Sequence, residues 1–106
     1  MRKIKLLLTQ IESSDPVCIE LKNTLTGTPV LYTAGLGDIR VVLEGAFLEG
    51  KCFGYMPTFR HLEQDGLVIP DVKRMDNDTM SIRLKDILDR DIDIGPDPVV
   101  LIIETE

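Results

Sequence analysis

The sequence predicts an α+β domain that is mainly β, a single antiparallel sandwich or barrel of about seven strands with one short helix over about 57–65 and a buried C-terminal strand. Three observations predict it. Apolar residues alternate with polar ones in short runs about ten residues apart, with glycine or proline between them. One segment, Pro57 to Gly66, leaves this period and carries residues suited to helix ends at both of its ends. Residues 99–103 are Val-Val-Leu-Ile-Ile, apolar at every position, the pattern of a strand covered on both faces. At 106 residues the chain is read as one domain, 1–106, large enough for a single core without a metal or disulfide.

The elements follow in order. Ile4, Leu6 and Leu8 share one face while Lys3, Lys5 and Thr9 take the other, giving a half-buried first strand. After the break at Ser13-Ser14-Asp15-Pro16, Val17, Ile19 and Leu21 alternate with Cys18, Glu20 and Lys22, so the same logic turns the apolar trio inward. Thr26-Gly27-Thr28-Pro29 precedes a third strand over 30–34, and Gly35-Leu36-Gly37-Asp38 turns into a fourth with Ile39, Val41 and Leu43 on one side. Residues 52–56 form the fifth. In the helix, Pro57 costs no hydrogen bond in the first turn, Phe59 and Leu62 make the buried edge, and Gly66 takes the left-handed position after the last turn. Residues 71–79 read as a polar loop. Met80, Ile82 and Leu84 begin a strand that passes into a helical turn near Leu84, and 99–103 supplies a mid-sheet strand, so removal of 99–106 is expected to unfold the domain.

Composition excludes several classes. The aromatic residues are three Phe and two Tyr with no Trp, so the core is aliphatic. The net charge of −6 opposes direct binding to nucleic acid or to an anionic membrane, both of which demand basic surface. No apolar run approaches the roughly 20 residues of a membrane span. The stretch at the start is broken by Lys5 and no small-residue cleavage site follows it, so it does not read as a signal peptide. Two cysteines, Cys18 and Cys52, fit buried thiols in a reducing compartment, and the expected location is the cytoplasm.

The charge is lopsided. Residues 1–75 balance nine acids with nine bases, whereas residues 76–106 hold nine acids against Arg83, Lys85 and Arg90. The densest part is a ladder of Asp86, Asp89, Asp91, Asp93 and Asp97. Oxygen ligands at alternate positions resemble the opening of a calcium loop, which makes Asp89, Asp91, Asp93 and Asp97 candidate ligands for a divalent cation. Ile94 and Val100 stand where an EF-hand requires glycine and a bidentate glutamate, so that motif is not met. Gly35-x-Gly37 lacks the third glycine and the following helix of a phosphate loop. A lone His61 is too little for a zinc cluster with two cysteines, and no serine has a nucleophile's context.

The expected function is therefore a small non-enzymatic binding or assembly module, acting by protein–protein contact or self-association. Two surfaces are candidates. Asp86, Asp89, Asp91 and Asp93 form an acidic face suited to a basic protein partner, and Tyr55, Met56, Phe59 and Val68 form an adhesive patch of the composition found at interface cores. The alternatives are a divalent-cation-binding protein or small carboxylate metallo-enzyme, with Arg83 and Lys85 holding an anionic substrate, and an acidic mimic of nucleic acid that occupies a basic groove. No cofactor other than such a cation is implied.

Overall fold

The alternation of apolar and polar residues becomes two antiparallel sheets laid face to face. The computed structural model describes residues 2–11, 14–57, 61–62, 66–86, 88–94 and 98–106. Its strands are β1 (Arg2–Thr9), β2 (Val17–Asn23), β3 (Val30–Gly35), β4 (Asp38–Val42), β5 (Cys52–Tyr55), β6 (His61–Leu62), β7 (Gly66–Arg74), β8 (Thr79–Asp86) and β9 (Val99–Thr105). The first sheet has the order β2-β1-β9-β5; the second has β3-β4-β8-β7, with the two-residue β6 added beyond β7.

The core lies between the sheets, as the period of two requires. Ile4, Leu6 and Leu8 of β1 and Val99, Leu101 and Ile103 of β9 face Ile39 and Val41 of β4 and Met80, Ile82 and Leu84 of β8. Phe47, in the connection from β4 to β5, is fully buried in the same cluster, and Met56 and Ile94 close it. Each such aliphatic side chain contributes about 1.5–3 kcal/mol on burial. Along one side the sheets meet through β5 and β7. A Cβ on Gly54 would stand 2.5 Å from Val72 Cγ1, so only glycine lets the two strands approach this closely.

The fold is all-β among the described residues, which corrects the α+β expectation of seven strands and a helix. Of the segment 57–65, His61 and Leu62 are extended and pair with Leu67 and Gly66, while Thr58, Phe59, Arg60, Glu63, Gln64 and Asp65 lie outside the described residues. A proline before and a glycine after serve a hairpin as well as a helix, and a helix this short has little stability of its own. The polar loop read at 71–79 is also corrected. Asp71 and Lys73 alternate with Val72 in β7, which pairs with β8 from Val68 opposite Asp86 to Arg74 opposite Met80.

β2 departs from expectation in its facing. Leu8 stands opposite Cys18 and Leu7 opposite Ile19, so Cys18 turns toward the core and Val17, Ile19 and Leu21 are left exposed. The register with β1 shifts once, between Lys5 and Leu6, where Leu21 is the extra residue of a bulge. The C-terminal strand is as expected in place but not in cover. β9 lies mid-sheet between β1 and β5, and only one of its faces meets the second sheet.

Candidate interaction surface

The aspartate ladder is built from β8 and the turn after it. Asp86, at the end of β8, is 2% exposed, and its carboxylate is an internal anchor. Oδ1 accepts the backbone N–H of Leu88 at 2.9 Å and of Arg90 at 3.0 Å; Oδ2 accepts Arg90 Nε at 2.6 Å. Burial pushes this carboxyl upward, but the hydrogen bonds from Arg90 and Leu88 and the Arg90 charge outweigh it and hold it below the usual carboxylate range. The turn brings Asp89 into the left-handed region, at φ 63°. It is Asp86, then, that shapes the loop.

The exposed acids lie against bases on the outer face of the second sheet. Lys85 Nζ is 3.4 Å from Asp89 and 3.8 Å from Asp91, and Arg83 is 3.9 Å from Asp91 and 3.7 Å from Asp38. Arg40 grips Asp38 with both Nε and Nη2, at 2.9 and 3.0 Å. The Arg40 hydrogen bond lowers the Asp38 pKa against the opposing effect of burial. The result is a row of alternating charge, Arg40, Asp38, Arg83, Asp91, Lys85, Asp89, in place of a bare acidic field. Asp93 is half-buried next to Ile94, and Asp97 lies outside the described residues. Among the described residues no three His, Cys, Asp or Glu side chains come together as a metal site.

The same face carries a shallow depression of 640 Å³ lined by Ile69, Pro70, Lys73, Arg83, Lys85 and Asp89 among others. Its cations are already matched: Lys73 Nζ lies 3.2 Å from Asp71, and Lys85 pairs with Asp89. An anionic substrate there competes with carboxylates of the protein itself.

The adhesive patch is only partly together. Tyr55 is exposed and stacks on Phe53, with ring centroids 5.9 Å apart. Met56 is buried in the core, Val68 pairs opposite Asp86 in β7, and Phe59 lies outside the described residues. Sequence reasoning missed the larger apolar surface, the outer face of the first sheet. Val17 and Ile19 are 57% and 56% exposed there, Leu7 and Val100 sit half-buried between them and β5, and Ile102 lies beside Tyr55. Lys5 and Lys3 stand at its rim with Glu104, which is 3.3 Å from Lys3 Nζ. The signal was present. Residues 6–8 and 99–103 are apolar at both parities, which calls for cover on both faces, and the second sheet covers one.

Cys18 and Cys52 are free thiols on the two edge strands of the first sheet, β2 and β5, with β1 and β9 between them. Three inter-strand steps of about 4.8 Å put them well beyond the roughly 7 Å limit for a disulfide. Burial raises both thiol pKa values, and Cys52 Sγ sits 3.9 Å from Met80 Sδ. Neither environment activates a nucleophile. Among the described residues no helix is long and apolar enough to cross a membrane. Comparison with protein-family models, with curated proteins and with solved structures finds no match to this chain.

Proposed function

We propose that this protein is a non-enzymatic assembly module that joins copies of itself through its first sheet. The observation that carries the reading is the contrast between the two outer faces. That of β3-β4-β8-β7 carries a row of matched charges with Val30, Tyr32 and Ile69 exposed beside it, while that of β2-β1-β9-β5 exposes Val17, Ile19, Phe53 and Tyr55 around half-buried Leu7 and Val100. An exposed apolar patch rimmed by polar residues is of the kind that marks a contact site. A second copy is the fitting occupant because β2 itself carries both signs, Glu20 and Lys22, beside its exposed Val17, Ile19 and Leu21.

The acid run supports a basic partner less well, because Asp86 is turned inward and Asp89 and Asp91 already face Lys85 and Arg83. A cytoplasmic, reducing location belongs to the same reading; its support is two thiols too far apart to bridge. Sedimentation velocity over a range of concentrations tests the reading. A mass that rises with concentration is expected, and a monomer throughout would sink it.

A further inference from the structure

We infer that the copies join edge to edge, β2 against β2 of a second molecule, in antiparallel register centred on Ile19. This rests on the self-assembly reading and adds the strand, the register and the symmetry. The first support is which backbone groups remain open. Glu106 N donates to Lys51 O at 2.9 Å, so the even-numbered residues of β9 turn their backbone groups to β5 and the odd-numbered ones to β1. Through the β1–β9 register, Ile4, Leu6 and Leu8 then bond to β9, and Lys3, Lys5, Leu7 and Thr9 to β2. The bond from Thr24 N to Lys3 O, at 3.0 Å, agrees. Leu7 and Thr9 stand opposite Ile19 and Val17, so the N–H and C=O of Cys18 and Glu20 point to the open edge.

The second support is that the other edges are engaged, β3 in part and β5 and β7 by each other and by β6. On β3, the Thr33 N–H is taken by Asp15 Oδ1 at 2.9 Å and its hydroxyl joins Gln10 and Ser14. β5 closes on β7, where Gly54 meets Val72, and β7 carries β6. Among the described residues β2 has neither device. Its usable length is set by Pro16, which has no N–H to offer, and by the bulge at Leu21. The window between them is 17–21, and its centre is Ile19.

The third support is that this register is self-complementary. It sets Ile19 opposite Ile19, Val17 opposite Leu21 and Cys18 opposite Glu20 of the second molecule. All three exposed apolar residues of β2 gain apolar partners, and no like charges are opposed. Shifted by two residues one way, the pairing opposes Glu20 to Glu20; shifted the other way, it sets Leu21 against Asp15. In the favoured register Cys18 N–H donates to Glu20 C=O and Glu20 N–H to Cys18 C=O, and symmetry doubles both. The two first sheets become one, with their apolar outer faces continuous.

Amide hydrogen exchange on the wild-type protein tests this, read at low and high concentration alongside sedimentation. The Cys18 and Glu20 amides are expected to slow at least tenfold at high concentration while Leu31, on the β3 edge, does not change. Ile19→Lys is expected to weaken the dimer at least tenfold with its melting temperature as a monomer retained. A dimer whose Cys18 and Glu20 amides exchange freely, or one that Ile19→Lys leaves intact, overturns the strand pairing and leaves the assembly reading standing. A wild-type monomer at every concentration overturns both. Slowing of these amides only when a protein of another sequence is added overturns the self-pairing in favour of a foreign strand.

Discussion

The side-chain carbonyl of Gln10 accepts the backbone N–H of Ile94 at 2.9 Å, across 84 positions of sequence and with both residues buried. The same amide donates to Ser14 O at 2.9 Å and to Thr33 Oγ1 at 3.0 Å. Three separate segments thus depend on one group that is 1% exposed. Gln10→Ala leaves the buried Ile94 N–H without its acceptor, while Thr33 Oγ1 and Ser14 O keep their bond to each other, and is expected to cost about 1–3 kcal/mol in urea unfolding. Gln10→Glu keeps the shape but sets a carboxylate against the Ser14 carbonyl, so it is expected to be no better tolerated. A loss below about 0.5 kcal/mol for both would show that water replaces the amide.

Acid should loosen the turn after β8 before it unfolds the sheets. The Asp86 carboxyl has its pKa lowered in the folded protein, so its stabilising contribution is present above the ordinary carboxylate range. It is lost as pH falls through the lowered folded value. Exchange of the Leu88 and Arg90 amides, both bound to Asp86 Oδ1, should therefore accelerate beyond the intrinsic trend in that window. Asp86→Asn should lower the melting temperature at neutral pH and remove this acid-specific step. An unchanged step in that variant would assign it to another carboxylate, of which Asp38, held low by Arg40, is the first to examine.

Gly54→Ala should destabilise the sandwich by about 1–3 kcal/mol, because the new methyl meets Val72 Cγ1. Val72→Ala in the same chain should recover part of that loss, and the double-mutant cycle measures the coupling. Gly37→Ala should find no such rescue. Its Cβ would stand 2.8 Å from Leu84 O and 2.9 Å from Ile92 N, which are backbone atoms, and its φ is +68°.

Self-association through the apolar residues of β2 should hold or strengthen as salt is raised, since charge screening does not weaken it. Asp89→Asn with Asp91→Asn should leave the sedimentation profile unchanged, and Val17→Ser with Leu21→Ser, both on β2, should shift it toward monomer. Leu101→Ala, on the inner face of the same sheet, should instead cost about 2–5 kcal/mol of folding stability. Dissociation by salt would point to the charged sheet as the contact surface.

Most of the strands were legible because they bury one face and expose the other. β1, β4 and β8 carry the period of two that a two-layer sandwich imposes, and Ile4, Ile39 and Ile82 fall inside as the period demands. β2 reads the same way and is turned over, because facing is fixed by register with β1 and not by the strand's own pattern. The hairpin of β6 and β7 was hidden by punctuation that helices and hairpins share. The aspartate ladder looked uniform because sequence shows charge along the chain and not across a sheet. Arg40 lies far from Asp91 in sequence, yet Asp38 and Arg83 join them into one row.

β1 and β9 form the central ladder of the first sheet, with Arg2 opposite Thr105. During synthesis β1 therefore waits for a strand at the other end of the domain. Until β9 arrives, β1 has β2 on one side and nothing on the other, and Leu6, Leu7 and Leu8 stand exposed in the nascent chain. Pairing at such separation in sequence folds slowly, on the order of milliseconds to seconds. The first sheet is thus completed only once β9 has emerged, and the early strands are the ones a holding chaperone would meet.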